Sequence, residues 1–224
     1  METSKASFEP TVGDSYNHGW KTLWKYFLEL FLIGLLVFII SIPVNLMSFL
    51  VREGSGFGIF IFVLFALAYG LLLLGPLQYG MYNCYLKAAR GQSLQVSDLF
   101  AFKDNYLNVV LAALLTNVII SIGIFLLIIP GIIFACKLAF VPYLVIDKKL
   151  DAIKALQTSW QMTDGYAMNI FVMGLLAVFI AIGGLIAFLI GVIIAAMWIY
   201  ASFASIYYSV ESKQSGIETP AESS

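Results

Sequence analysis

Tyr106 to Asp147 reads YLNVVLAALLTNVIISIGIFLLIIPGIIFACKLAFVPYLVID, and from Tyr106 to Ile146 its only charged side chain is Lys137. A helix needs ~20 apolar residues to cross the hydrocarbon of a bilayer. The stretch therefore holds two crossings, at 106–129 and 131–147. Pro130-Gly131 lies between them, where it stops one helix and permits a tight reversal. The rest of the chain matches this reading. Hydrophobic residues make up 61% and charged residues 11%, against roughly 25% charge in a soluble domain. The fold class is an all-α, multi-pass membrane protein.

Outward from this pair, the same criterion places four further spans, at about 26–50, 57–86, 166–184 and 186–209. Glu53-Gly54-Ser55-Gly56 is a polar turn between the first two. Gly183-Gly184 allows a reversal between the last two; Gly191 is a competing position, and one long tilted helix over 166–209 is the alternative. Short amphipathic segments precede each pair. Tyr16, Trp20, Leu23, Trp24 and Phe27 recur at helical spacing, as do Leu150, Ile153, Leu156 and Trp160; Val96, Leu99 and Phe100 do so more weakly. Asp151 suits the N-cap of the third short helix and Gly165 its stop. Helices with an aromatic face and basic flanks lie at the headgroup level.

The expected architecture is six transmembrane helices arranged as three hairpins, each preceded by a short interfacial amphipathic helix. They occupy a domain over 12–210, between polar tails 1–11 and 211–224 expected to be disordered. Shifting the chain by 60 aligns Phe100 with Trp160 and Tyr106 with Tyr166. Shifting it by 140 aligns Trp20 with Trp160 and Tyr26 with Tyr166. These matches suggest parallel repeats over 12–86, 94–147 and 150–210. Small residues four apart, Ala66 and Gly70, then Ala187, Gly191 and Ala195, form faces for close helix packing or for a homo-oligomer contact.

Several function classes lack their signatures. A net charge of −1 gives no field that draws nucleic acid. Cys84 and Cys136 fall in or beside apolar stretches and read as small buried hydrophobes. No metal-ligand cluster, Gly-rich phosphate loop, HExxH motif or paired intramembrane carboxylates occur, and His18 is the single histidine. Neither catalysis, a metal nor a cofactor is expected, and His18 should be exposed.

Lys137 is the leading site residue, because an ammonium in hydrocarbon costs at least ~2.5–3.5 kcal/mol. Counted along a straight helix, it lies ~9 Å from one end of its span and ~14 Å from the other. One reading is a cavity that binds an anionic lipid or solute, with Asn117 beside it. The other is a structural lysine paired with helix-end carbonyls or with Asn117. Trp20, Trp160, Lys148 and Lys149 are expected at the interface in contact with lipid, and Ser159 is expected to bond its own backbone. A transport path would draw on Asn45, Gln78, Asn83 and Asn117.

The segment PGIIFACKLAFVPYLVIDKKLDAIKALQTSWQMTDGY, from Pro130 to Tyr166, resembles bacterial integral-membrane families related to the membrane domain of glycerophosphoryl diester phosphodiesterases, and their stand-alone relatives of unknown function. The resemblance rests on Pro130-Gly131, Lys137, Pro142 and Asp147, followed by Ala155, Leu156, Ser159, Trp160, Thr163 and Gly165, about a sixth of the chain. It implies a bacterial inner-membrane location and no activity, since the catalytic barrel of some relatives is not expected here. The functional expectation is a non-enzymatic inner-membrane protein that interacts with membrane lipids or serves as a membrane module for envelope partners. The second expectation is a small transporter or channel for an anionic or amphiphilic solute.

Lys5, Lys21, Lys25, Lys87, Arg90, Lys103, Lys148, Lys149, Lys154 and Lys213 all fall on the side that holds both termini, against Arg52 on the other, ten to one. By the positive-inside bias both termini are cytoplasmic. Topology reporters fused at residue 54 and at the C-terminus are expected to report opposite sides of the membrane; agreement between them would refute the six-span reading.

Overall fold

The computed structural model describes residues 6, 8–50 and 56–218. The regular elements among them are all helical. They are α1 (Val12–Lys25), α2 (Phe27–Leu50), α3 (Gly56–Tyr69), a π-helical turn (Gly70–Leu74), α4 (Gly75–Ala89), a 3-10 segment (Val96–Asn105), α5 (Tyr106–Leu126), α6 (Ile128–Lys137), α7 (Val141–Asp147), α8 (Ala152–Met162), α9 (Ala167–Ile186) and α10 (Phe188–Glu218). Six stretches are long and apolar enough to cross a membrane: Phe27–Val44, Gly56–Ala89, Val96–Leu126, Ile128–Asp147, Ala167–Ile186 and Ile190–Gln214. A short helix followed by two long ones recurs three times. Tyr26, Tyr106 and Tyr166 stand at the three junctions between short and long. Arg52 and the turn residues Glu53 to Ser55 lie outside the described residues, as do 1–5, 7 and 219–224 of the two tails.

The second helix of each hairpin builds the centre. α4 packs on both α7 and α10. Tyr143 of α7 stacks on Tyr207 of α10 at 4.8 Å between ring centroids, and Phe140 meets Tyr207 edge-on at 5.3 Å. Tyr82 of α4 touches Tyr143 at 5.4 Å and Tyr200 at 5.5 Å. Tyr143, Phe140 and Tyr207 are fully buried. The first helices turn large apolar side chains outward, among them Phe38, Leu107 and Phe179. A membrane-spanning helix satisfies its backbone within itself and can show such a face to lipid.

Prolines inside the spans disturb that self-sufficiency, and tyrosine hydroxyls bond backbone carbonyls beside two of them. Pro76 has no N–H to give to the carbonyl four residues back, Leu72. The helix widens to a π turn there, and the Leu72 carbonyl accepts from the Tyr106 hydroxyl at 2.7 Å. Near Pro43, inside α2, the Ile40 carbonyl accepts from the Tyr69 hydroxyl at 2.7 Å.

Several expectations need correction. The reversal after α5 occurs at Leu127, which is extended (φ −161, ψ 140). Pro130 sits instead in the first turn of α6, where a missing N–H costs nothing. Gly131 serves packing: a Cβ there would lie 2.6 Å from the Ile124 nitrogen. The last two spans are separate helices that divide at Ala187, three residues beyond Gly183-Gly184. Gly184 and Gly191 face each other, and a Cβ on Gly184 would come within 2.7 Å of the Gly191 carbonyl oxygen. Gly70 has no neighbour within 4 Å of a modest added Cβ, so the Ala66/Gly70 face is not a close-packed one.

The tails also differ from expectation. Phe8 stacks on His18 at 4.3 Å and meets Tyr208 edge-on. The Ala6 N–H donates to the Ser212 hydroxyl, Asn169 donates to the Pro10 carbonyl, and the Thr11 side chain caps α1. Polar composition missed this anchoring because one aromatic ring supplies most of it. At the other end α10 continues through Glu218, and Glu211 is buried. His18 is consequently half-buried. Burial, with the nearby Lys21 charge, lowers its pKa below the usual histidine value.

Gly80 of α4 rests on the 3-10 segment, where a Cβ would fall 1.7 Å from the Leu99 carbonyl oxygen; Gly174 of α9 has nothing within 4 Å. Gly80→Ala must displace backbone and should lower stability by at least ~1–3 kcal/mol. Gly174→Ala should be neutral or stabilising by up to ~1 kcal/mol. Thermal unfolding of both variants in detergent micelles, followed by circular dichroism, checks the contrast.

Candidate functional site

The break between α6 and α7 creates the most distinctive polar corner. Pro142 cannot donate to the preceding turn, and the helix is interrupted over Leu138 to Phe140. Groups freed there are taken up by α8. The Ser159 hydroxyl donates to the Lys137 carbonyl at 2.8 Å and accepts from the Phe140 N–H at 3.2 Å. The Thr163 hydroxyl reaches the same carbonyl at 3.3 Å. Ser159 and Thr163 are fully buried. Ser159 thus bonds across to a neighbouring helix, where bonding to its own backbone was expected. The Asp151 side chain accepts from the Lys154 N–H at the start of α8. Gly165, at φ 82, turns the chain toward α9.

The Lys137 ammonium pairs with Asp164, and the two side chains are 14% and 67% exposed. It also lies 5.5 Å from the centroid of the Trp160 ring. Asn117 is not its partner: that amide donates to the Ala113 carbonyl of its own helix at 2.8 Å. Counting along a straight helix gave no sign of Asp164 as the partner of Lys137. The break sets it against the C-terminal end of α8 and the turn before α9, where a carboxylate is within reach. Trp160, 40% exposed, holds an outward position, as does Trp20, whose ring meets Trp198 edge-on.

Two lateral clefts flank this corner. One, of about 340 Å³, lies between α5 and α8 and is lined by Ile119, Leu138, Leu156, Gln157, Trp160 and Gln161. The other, of about 330 Å³, lies between α6 and α9. Cys136 and Ala167 line it, one and three residues from the ion pair, as do Ile129, Ile132, Met168 and Phe171. Its walls are almost wholly apolar.

A second polar cluster went unread in the sequence. Arg90, just beyond α4, forks onto Asp147 at the end of α7, at 2.5 and 2.7 Å. Its Nη2 also donates to Glu211 of α10 at 2.6 Å. Lys148 pairs with Glu211 from the other side. Each hairpin contributes one member of this triad, from its second helix or the residue just after it. Burial pulls the Arg90 guanidinium down, but hydrogen bonds and charge from Asp147 and Glu211 outweigh it and raise the pKa overall. Asp147 and Lys148 are therefore parts of a clamp between hairpins. Lys149, in the left-handed region at φ 52, turns away and pairs with exposed Asp104 at 3.1 Å. Arg90 had looked like one more basic loop residue. Its place at the exit of a second helix, like that of Asp147, was the signal available.

Compared with family models, curated proteins and solved structures, the chain gives no match.

Removing Arg90 takes the bidentate partner from Asp147 and leaves buried Glu211 to Lys148. Arg90→Met is expected to cost about 3–5 kcal/mol, while Lys149→Met, which breaks an exposed pair, should cost less than about 1 kcal/mol. Equilibrium unfolding in mixed micelles separates these outcomes.

Proposed function

We propose that this chain is a non-enzymatic membrane protein of the bacterial inner membrane that holds phospholipid at the Lys137 corner, as a lipid-binding unit or a membrane module for envelope partners. The observation that carries the reading is the adjacency of an outward-facing Lys137–Asp164–Trp160 group to apolar clefts that open sideways between helices. A lipid enters such a site from the bilayer plane without crossing water. The resemblance of the Pro130 to Tyr166 segment to bacterial membrane families agrees with this setting, as does a cytoplasmic placement of both termini.

Transport through the bundle has less support. The Asn83 amide is bonded to the Asp98 carbonyl, Asn117 to its own helix, and Gln78 faces outward. These polar residues do not converge on a path. Arg90 and Lys148 balance Asp147 and Glu211 at one end of the bundle.

The test is copurified lipid. Protein extracted in mild detergent should retain phospholipid by native mass spectrometry, and Lys137→Met should keep its helicity and lose that lipid. A Lys137→Met variant that unfolds would reassign Lys137 to structure, and a folded variant with undiminished lipid would remove it from the site.

A further inference from the structure

We propose that the Lys137–Asp164 pair selects a phospholipid with a zwitterionic phosphate–ammonium headgroup, one acyl chain lying in the α6/α9 cleft; the inference rests on the lipid-binding reading above and names its ligand class. The charge arithmetic of the corner is the reason. Lys137 alone would favour an anionic lipid. Lys137 with Asp164 carries no net charge, so a singly anionic headgroup gains at the ammonium and loses at the carboxylate. A headgroup carrying both signs satisfies both: phosphate at Lys137, ammonium at Asp164.

The two members of the pair are exposed unequally, and this fits such a ligand. Lys137 is held in place, its side chain 14% exposed, while Asp164 is 67% exposed and keeps lone pairs for a further donor. Water reaches the Asp164 member and screens the pair, which favours exchange for a competing ligand at the carboxylate. The Trp160 ring, 5.5 Å from the Lys137 ammonium, offers a π face on which a second cation gains as well.

The cleft's lining begins one residue from Lys137 and three from Asp164. Cys136 follows α6 up to Lys137, and Ala167 opens α9 three residues after Asp164. From there the apolar walls run to Ile129 and Phe171. Ile129 to Cys136 spans ~10 Å of helix, which is room for part of one acyl chain. Ile129, at 72% exposure, and Met168, at 69%, leave the cleft open along its side, so a chain can slide in from the bilayer.

The experiment is competition on the full chain. Delipidated protein is given equal amounts of phosphatidylethanolamine and phosphatidylglycerol with matched acyl chains, and bound lipid is read by native mass spectrometry. Wild type should retain phosphatidylethanolamine by roughly fivefold over phosphatidylglycerol, the scale of one partly exposed charge contact. Asp164→Asn should still bind lipid but lose or invert the preference, since Lys137 then stands alone; Asp164→Glu should keep it. Equal retention of the two lipids by wild type, or a preference for phosphatidylglycerol, overturns the headgroup assignment and leaves lipid binding intact. Wild type that binds neither lipid overturns both. Should Asp164→Asn fail to fold, the wild-type ratio still decides.

Discussion

Hydrocarbon offers no hydrogen-bond partner, so every backbone group that a span fails to pair within itself must be paired by another part of the protein. This chain places prolines inside three of its spans, and within a turn or so of Pro43, Pro76 and Pro142 a hydroxyl bonds a backbone carbonyl. Tyr106 serves Leu72, Tyr69 serves Ile40, and Ser159 with Thr163 serves Lys137. Tyr69 works within its own hairpin, but Tyr106 and Ser159 reach back to the hairpin before. The repairs therefore double as joints between consecutive units. Apolar side chains could not do this in lipid, where packing two oily faces together gains little over packing each against acyl chains.

The Arg90 triad joins the units at one end of the bundle in another way. A guanidinium presents its donors in a planar fork, and here both edges are used, one on Asp147 and one on Glu211. Such clamps are costly to desolvate and contribute more to uniqueness of arrangement than to raw stability. The stacked tyrosines of the core are compatible with slightly different rotations of α4, α7 and α10. A bidentate contact that needs one residue from each tolerates far less.

Most of the architecture was legible because membrane spans are written in composition alone. The six apolar runs, the three short helices before them, Asp151 as cap and Gly165 as stop could all be read locally. Helix ends were read less well. Pro130 and Gly183 look like stops, yet Pro130 is tolerated in a first turn and Gly183 is simply helical, so the reversals fall at Leu127 and Ala187. The site was half legible. Lys137 stood out because a charge in an apolar run is conspicuous. Its partner did not, because Asp164 lies in a loop where acidic residues are ordinary, and only the break before Pro142 brings the two together. Arg90, Asp147 and Glu211 meet across separations of 57 and 121 residues, a pairing that one sequence cannot announce. Phe8 escaped notice for the opposite reason: a polar tail hid a single anchoring ring.

The Ser159 hydroxyl stands 22 residues after the Lys137 carbonyl that it serves. Synthesis runs from the N-terminus at ~5–20 residues per second, so the Lys137 carbonyl is made a second or more before the side chain that repairs it. Until α8 docks, that carbonyl has to find its hydrogen-bond donor elsewhere. The second hairpin is thus finished by the third, and the nascent chain cannot complete its own middle until translation has passed beyond it.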